Sequence, residues 1–324
     1  STPRRIDGGV TAPAGFRAAG LHCGIKASGK PDLSLIVSDT VASAAGVFTT
    51  NLAKAAPLYL CEAHLAASGG QARAIITNSG CANACTGPQG EADASEMATL
   101  VAAAVGCQVD QVLVASTGVI GVNLKMDSLR TGVPMAAAAL SPNGGADAAK
   151  AIMTTDPFPK DYAVEVQTVA GRFRVGGMAK GSGMIEPRMA TMLGYLTTDA
   201  AVEPALLSRA LIDATRYTFN AITVDGEPST NDCVFALANG QSGVCIDEAL
   251  YPALFEAFRA VAHELALGIV RGGEGATKLI AVTVSGAASD ADAWMAARAI
   301  ANSPLVKTAV HGGDPNWEIG RAHV

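Results

Sequence analysis

Apolar positions along the chain fall into short runs with strand character and longer stretches with helical spacing. Residues 33–37, 73–77, 112–115, 163–169, 191–198 and 279–284 are branched and apolar runs bounded by turn formers, and they predict strands. Helical spacing marks 92–105, which carries Asp93 and Ser95 near its start and stops at Gly106. It also marks 204–217, with Glu203 just ahead of it, the long amphipathic stretch 250–270, and 290–301. Strand runs follow one another without a helix between 163–169 and 191–198. The pattern therefore predicts an α/β chain built of packed layers rather than a strictly alternating doubly wound sheet. No internal repeat or low-complexity linker divides the chain. A boundary is expected near Lys278, giving a core of residues 1–277 and a second unit of 278–324.

Composition narrows the picture. The 324 residues can bury a large core. Hydrophobic residues make up 49% but aromatics only 5%, so that core must be built mainly from Ala, Val, Leu and Ile. The 35 glycines suit tight turns and close backbone approaches. With a net charge of −6 and no run of Lys or Arg to neutralise phosphates, nucleic acid is not an expected partner. No apolar run is long enough to span a bilayer, and residues 1–5 lead into no signal-type apolar stretch, so no membrane association is expected. The positive mean hydropathy of +0.29 reflects alanine. Seven cysteines, an odd number, favour reduced thiols and a cytoplasmic location. Cys81 and Cys85 lie four apart, but no second Cys or His pair completes a zinc set, so no metal is expected.

The most telling segment is 180–200, where Lys180-Gly181-Ser182-Gly183-Met184-Ile185-Glu186 leads through Pro187-Arg188-Met189-Ala190 to Thr191 and an apolar run. On physics alone Thr191 is a strand threonine behind a glycine loop. The same arrangement can also present a nucleophile. Attack of the Thr191 hydroxyl on the Ala190 carbonyl gives an ester that water opens, leaving Thr191 with a free α-amine. Such an amine titrates at about 7.7–8.0 and can take the proton of its own hydroxyl, so no histidine is required. None of the five histidines (His22, His64, His263, His311 and His323) is near this segment in sequence. The β-branch of threonine restricts its rotamers and helps to aim the hydroxyl.

Further motifs run colinearly through residues 8–317. They include Gly8-Gly9-Val10-Thr11-Ala12-Pro13, Thr77-Asn78-Ser79-Gly80-Cys81-Ala82-Asn83-Ala84-Cys85-Thr86-Gly87, and Ser116-Thr117-Gly118-Val119-Ile120-Gly121. Ile152-Met153-Thr154-Thr155-Asp156, Ser229-Thr230-Asn231-Asp232, Gly273-Glu274-Gly275-Ala276-Thr277-Lys278 and His311-Gly312-Gly313-Asp314-Pro315-Asn316-Trp317 follow in order. With the 180–200 segment, this set closely resembles the glutamate N-acetyltransferase (ornithine acetyltransferase) family. The resemblance implies a layered helix–sheet–sheet–helix α/β core followed by a small C-terminal α/β domain. It implies self-cleavage between Ala190 and Thr191 and an acetyl-Thr191 intermediate. Thr117 and Gly118 carry over as the oxyanion hole, and Lys180, Glu274 and one of Thr154 and Thr155 as substrate contacts. N2-acetylornithine is the implied donor and glutamate the acceptor, by a ping-pong scheme in arginine biosynthesis, with no cofactor and with acetyl-CoA left open as a donor. The implied assembly is α2β2, from α chains of 1–190 and β chains from 191 onward.

Some positions depart from the family pattern. Glu186 stands where histidine is frequent, Gly226-Glu227-Pro228-Ser229 replaces a commoner Gly-Asp-Thr-Ser, and Gly272 stands where aspartate is usual. Relatives are expected to continue several tens of residues past Trp317, supplying an asparagine and a serine or threonine to the substrate site. The last seven residues, Glu318-Ile319-Gly320-Arg321-Ala322-His323-Val324, back-translate with one codon choice into a common sequencing-adapter read. A truncated gene model is therefore the expectation, and a genuine stop codon found on resequencing the locus would sink it. Two other readings stay open: an amide hydrolase or aminopeptidase of the same self-cleaving fold, and an inactive fragment.

Overall fold

The computed structural model describes residues 2–186, 192–316 and 318. In chain order the elements are β1 (Arg4–Ile6), β2 (Phe16–Leu21), β3 (Leu33–Phe48), α1 (Ala56–Ala67), β4 (Gln71–Cys81), α2 (Gly87–Val105), β5 (Val112–Val119), α3 (Met126–Ala138) and α4 (Gly145–Ala151). The hairpin β6 (Lys160–Thr168) and β7 (Gly171–Lys180) follows, then β8 (Leu193–Thr198), β9 (Ala201–Val202), α5 (Pro204–Arg216), β10 (Cys233–Ala238) and β11 (Cys245–Ile246). The helices α6 (Tyr251–Arg271), α7 (Asp290–Asn302) and α8 (Pro304–Gly312) come last.

Among the described residues, one ladder runs in the order β1-β6-β7-β8-β10-β3-β4-β5, with β2 also paired to β3. The long strand β3 joins its two halves. Residues 33–37 pair with β2 and β4, residues 43–48 pair with β10, and the register shifts between Val37 and Ala42. A bulge of this kind bends the strand and sharpens its twist, and here the two halves fold over each other. The Tyr195 hydroxyl on β8 lies 2.8 Å from Thr77 Oγ1 on β4, although β10 and β3 separate those strands in the ladder. Only face-to-face stacking brings these side chains together.

Helices cover both outer faces. α1 and α2 pack on β5, and α3 packs on α2 and β3; on the other side, α5 and α6 pack together, with α6 on β6 and β7. The result is the helix–sheet–sheet–helix layering that the resemblance implied. Strand β10, buried on both faces, shows the division residue by residue. Cys233, Phe235 and Leu237 belong to one core, with Met178, Tyr195, Val101 and Leu129. The alternate residues Val234, Ala236 and Ala238 belong to a second core, with Leu207, Leu211, Phe258 and Leu265. Period-two alternation thus serves two apolar layers here, so the sequence shows an unbroken apolar run.

The helix seen in sequence at 92–105 begins earlier, at Gly87, with proline in its first turn where no N–H is needed. Its buried stripe of Gly90, Asp93, Ala94, Met97, Ala98, Val101 and Ala102 has helical spacing. Gly106, in the left-handed conformation, caps its end. The expected strand 279–284 is not formed as a ladder. Among the described residues no edge pairs with it, and the segment instead lines a cavity of about 600 Å³ with parts of α6 and α7. Alternation makes a strand only where a neighbour supplies hydrogen bonds.

Phe235 is fully buried, stacked on Tyr195 and edge-on to Phe48 with ring centroids 5.9 and 5.8 Å away. Phe235→Ala is expected to lower unfolding free energy by about 3–5 kcal/mol, read from a denaturant midpoint shift at unchanged slope.

Candidate functional site

The described ends of β5 and β7 meet at a cavity of about 580 Å³, with Thr117, Gly118, Thr154, Thr155, Lys180 and Glu274 all in its wall. Strand order alone keeps β5 and β7 five ladder positions apart, roughly 24 Å in a flat sheet. Folding of the sheet instead puts Lys180 Nζ 3.1 Å from Thr117 Oγ1 and 2.9 Å from Thr154 Oγ1. An ammonium only donates, so both threonine oxygens accept, and each hydroxyl proton is left to point elsewhere. Lys180 thereby sets Thr117 as a donor toward the cavity, which is the polarity an oxyanion needs.

Gly118 follows at the exposed tip of β5 with φ +135. A Cβ there would stand 2.3 Å from the Gly80 carbonyl carbon and 2.5 Å from the Cys81 nitrogen. Both the conformation and the contact therefore exclude any larger residue. Behind this strand, Asn231 Nδ2 donates to the carbonyls of Ala82 and Ser116 at 2.5 and 2.8 Å. Ser116 Oγ in turn donates to Asn78 Oδ1 at 2.6 Å. These buried amides tie the loop after β4 to β5 and fix this wall of the cavity.

Lys180 is buried, and desolvation pulls its ammonium below the usual lysine range, opposed by the carboxylates of Asp156 and Asp232. Asp156 is the main counter-charge. Its Oδ1 accepts from Lys160 Nζ at 2.6 Å and from the Gly181 amide at 2.8 Å, and its Oδ2 accepts from the Thr154 amide at 3.1 Å. Burial alone would raise the Asp156 carboxyl, but the ammonium groups of Lys180 and Lys160 and these hydrogen bonds hold it below the ordinary value.

The cavity carries both signs of charge. Lys26 also lines it, with Nζ donating to the carbonyls of Pro31 and Met153 at 2.8 and 2.6 Å. Glu274 is anchored by its amide to the Ser182 carbonyl at 2.9 Å, and its carboxylate lies against Gly183. Asp225 and Asp232 complete the acidic side. A wall with ammonium groups on one part and carboxylates on another suits a small zwitterion.

Thr154, Thr117 and Lys180 are brought into direct contact, while Thr155 is exposed at the rim and Glu274 stands across the cavity. Ala190 and Thr191 lie outside the described residues, but Met192 and Leu193, which follow them, form part of the wall. Lys26, Asp225 and Asn231 received no role from sequence. Asp156 and Asn231 stood inside motifs that had been singled out, yet nothing in their spacing showed which carboxylate or amide was buried. No group of three or more metal-ligating side chains occurs among the described residues.

A layered α/β fold with a two-signed cavity between its sheet halves, walled by hydroxyls held in fixed polarity, defines an enzyme acting on a small molecule. The fold alone is shared with a β-aminopeptidase of Burkholderia sp., 14% identical over 84% of this chain and 88% of that one, with a TM-score of 0.53. The chain belongs to the ArgJ family, whose model matches residues 17–322. It is 55% identical over 317 residues to the arginine biosynthesis bifunctional protein ArgJ of Symbiobacterium thermophilum, covering 96% of this chain and 78% of the relative. It is also 47% identical to an ornithine acetyltransferase of Mycobacterium tuberculosis solved with ornithine. That match has a TM-score of 0.54 and covers 58% of this chain and 100% of the solved one.

Asp156 and Lys160 have side chains 0% and 2% exposed, so removing one leaves the other as an uncompensated buried group. Asp156→Asn is expected to destabilise the fold by about 3–5 kcal/mol at neutral pH. Because the folded-state pKa is depressed, the Asp156 contribution is complete above the ordinary carboxylate range and fades as pH falls through the lowered value. Denaturant titrations across acid pH should show that loss in the parent protein and not in Asp156→Asn.

Proposed function

We propose that this chain is an acyltransferase of arginine biosynthesis that moves the acetyl group of N2-acetylornithine to glutamate through Thr191. The observation that carries the reading is the contact of Lys180 with Thr117 and Thr154 in a two-signed cavity, whose wall includes the residues just after Thr191. Family membership supports the reaction class. A further support is that the solved ornithine acetyltransferase chain is matched over its whole length yet spans only 58% of this one, as separate chains of a cut protein would.

In this scheme the Thr191 hydroxyl first attacks the Ala190 carbonyl. Water opens the resulting ester, leaving a carboxylate on Ala190 and a free amine on Thr191. The Thr191 oxygen then attacks the acetyl carbonyl of N2-acetylornithine while its own α-amine takes the hydroxyl proton. Negative charge on the carbonyl oxygen is met by the Thr117 hydroxyl and the Gly118 amide; a donor so placed lowers the barrier by about 3–4 kcal/mol. The proton passes to the departing amine, ornithine leaves, and glutamate's amine attacks acetyl-Thr191 to close the cycle. Lys180 holds a substrate carboxylate, Glu274 faces an ammonium, and Thr154 and Thr155 line the path between them. The reaction needs no cofactor, and acetyl-CoA is an alternative donor. The enzyme works in the cytoplasm, and its α and β chains stay together as α2β2. Among the described residues no helix is long and apolar enough to cross a membrane.

Intact mass under denaturing conditions should show two chains, one ending at Ala190 and one beginning at Thr191, and a single chain for Thr191→Ala. Initial rates at several glutamate concentrations should give parallel double-reciprocal lines, with acetylglutamate accumulating. Intersecting lines, or acetate formed regardless of glutamate, would count against transfer and favour a hydrolase. Since the Lys180 ammonium is held below the usual lysine range, KM for the carboxylate substrate should rise on the alkaline side before ordinary lysines titrate. Lys180→Arg should shift that limb to higher pH.

A further inference from the structure

We propose that Asp225 is a positioning residue for self-cleavage, clamping two consecutive amides of the loop that leads to the scissile bond. The inference rests on the reading that the chain cuts itself before Thr191. Met184 adopts φ +55, one of three positive-φ residues other than glycine among the described residues. The residue is 40% exposed, so packing is a poor explanation for an unfavourable backbone. The amides explain it better. Met184 N–H donates to Asp225 Oδ2 at 2.5 Å and Ile185 N–H donates to Oδ1 at 2.8 Å, so each carboxylate oxygen takes one of two converging donors. Successive amides turned toward one anion form a concave nest, and the charge strengthens both bonds.

The grip continues along the same strip of chain. The Ile185 carbonyl accepts from the Val224 amide at 2.8 Å and from Thr223 Oγ1 at 3.1 Å. Glu186 Oε1 accepts from Arg298 of α7 at 2.8 Å. On the far side of residues 187–191 the Met192 carbonyl accepts from the Cys233 amide at 3.1 Å. The described residues on either side of the cleavage segment are thus anchored to residues 223–233 or to α7. Attack of a hydroxyl on the carbonyl just before it requires a closely defined approach. Asp225 restricts that approach by holding Met184 left-handed, acting through the backbone rather than on the reacting atoms.

The test is a time course of full-length chains made by cell-free synthesis, quenched in denaturant and read by intact mass. The parent chain, Asp225→Asn, Met184→Gly and the double variant are compared, with thermal melts of each. Asp225→Asn should cut at least about tenfold more slowly, the loss expected for a charged hydrogen-bonded anchor. Glycine takes a positive φ without a clamp, so the double variant should cut faster than Asp225→Asn alone. That recovery would not occur if Asp225 served stability only. Cutting of Asp225→Asn at the parent rate overturns the proposal, and so does a double variant no faster than Asp225→Asn. A parent chain that stays whole sinks the self-cleavage reading itself, and this inference falls with it.

Discussion

The buried carboxylate of Asp156 brings together groups that would otherwise keep apart. Two ammonium groups, those of Lys160 and Lys180, sit in its field within a water-poor interior. Without an anion between them, both would meet a desolvation penalty and their mutual repulsion. The same carboxylate takes the amide of Gly181, where β7 ends and the loop toward Thr191 begins, and the amide of Thr154, whose hydroxyl accepts from Lys180. One charge therefore fixes the loop entrance, the cavity-lining Thr154 and, through Lys180, the orientation of the Thr117 hydroxyl.

This arrangement depends on a sheet able to fold on itself at close range. With few aromatics to act as spacers, the layers meet through small residues and bare backbone. A Cβ on Gly176 of β7 would stand only 1.9 Å from the Gly9 carbonyl oxygen, so the turn after β1 lies directly on that strand. Where aromatic bulk does enter the first core, Phe235 packs against both Phe48 and Tyr195. Tyr195 spends its hydroxyl on Thr77 of the opposite sheet half, a buried polar contact that fixes how the halves register.

Much of this was legible in residue order. The buried stripe of α2, the cap at Gly106 and the apolar run of β5 follow from periodicity and turn chemistry. The colinear motifs singled out Thr117, Gly118, Thr154, Thr155, Lys180 and Glu274, which the structure places around one cavity. Other features were hidden for identifiable reasons. β3 looked like a short strand because its middle, around Asp39 and Thr40, is polar and exposed where the bulge turns it outward. The β6–β7 hairpin read as one run because Arg172 and Arg174 break the apolar pattern of its second strand. Residues 279–284 have strand chemistry but, among the described residues, no partner strand.

By itself the sequence determined most of the elements, the small-residue character of the core and the family. Those are local or colinear properties, written in spacing and composition. Only the tertiary structure decided that Lys180 stands between Thr117 and Thr154, that Asp156 is the buried counter-charge, and that Asp225 holds the backbone of Met184 and Ile185. Each of these joins residues distant in the chain. The Lys180–Thr117 contact also crosses five ladder positions, which only the folded-over sheet can close.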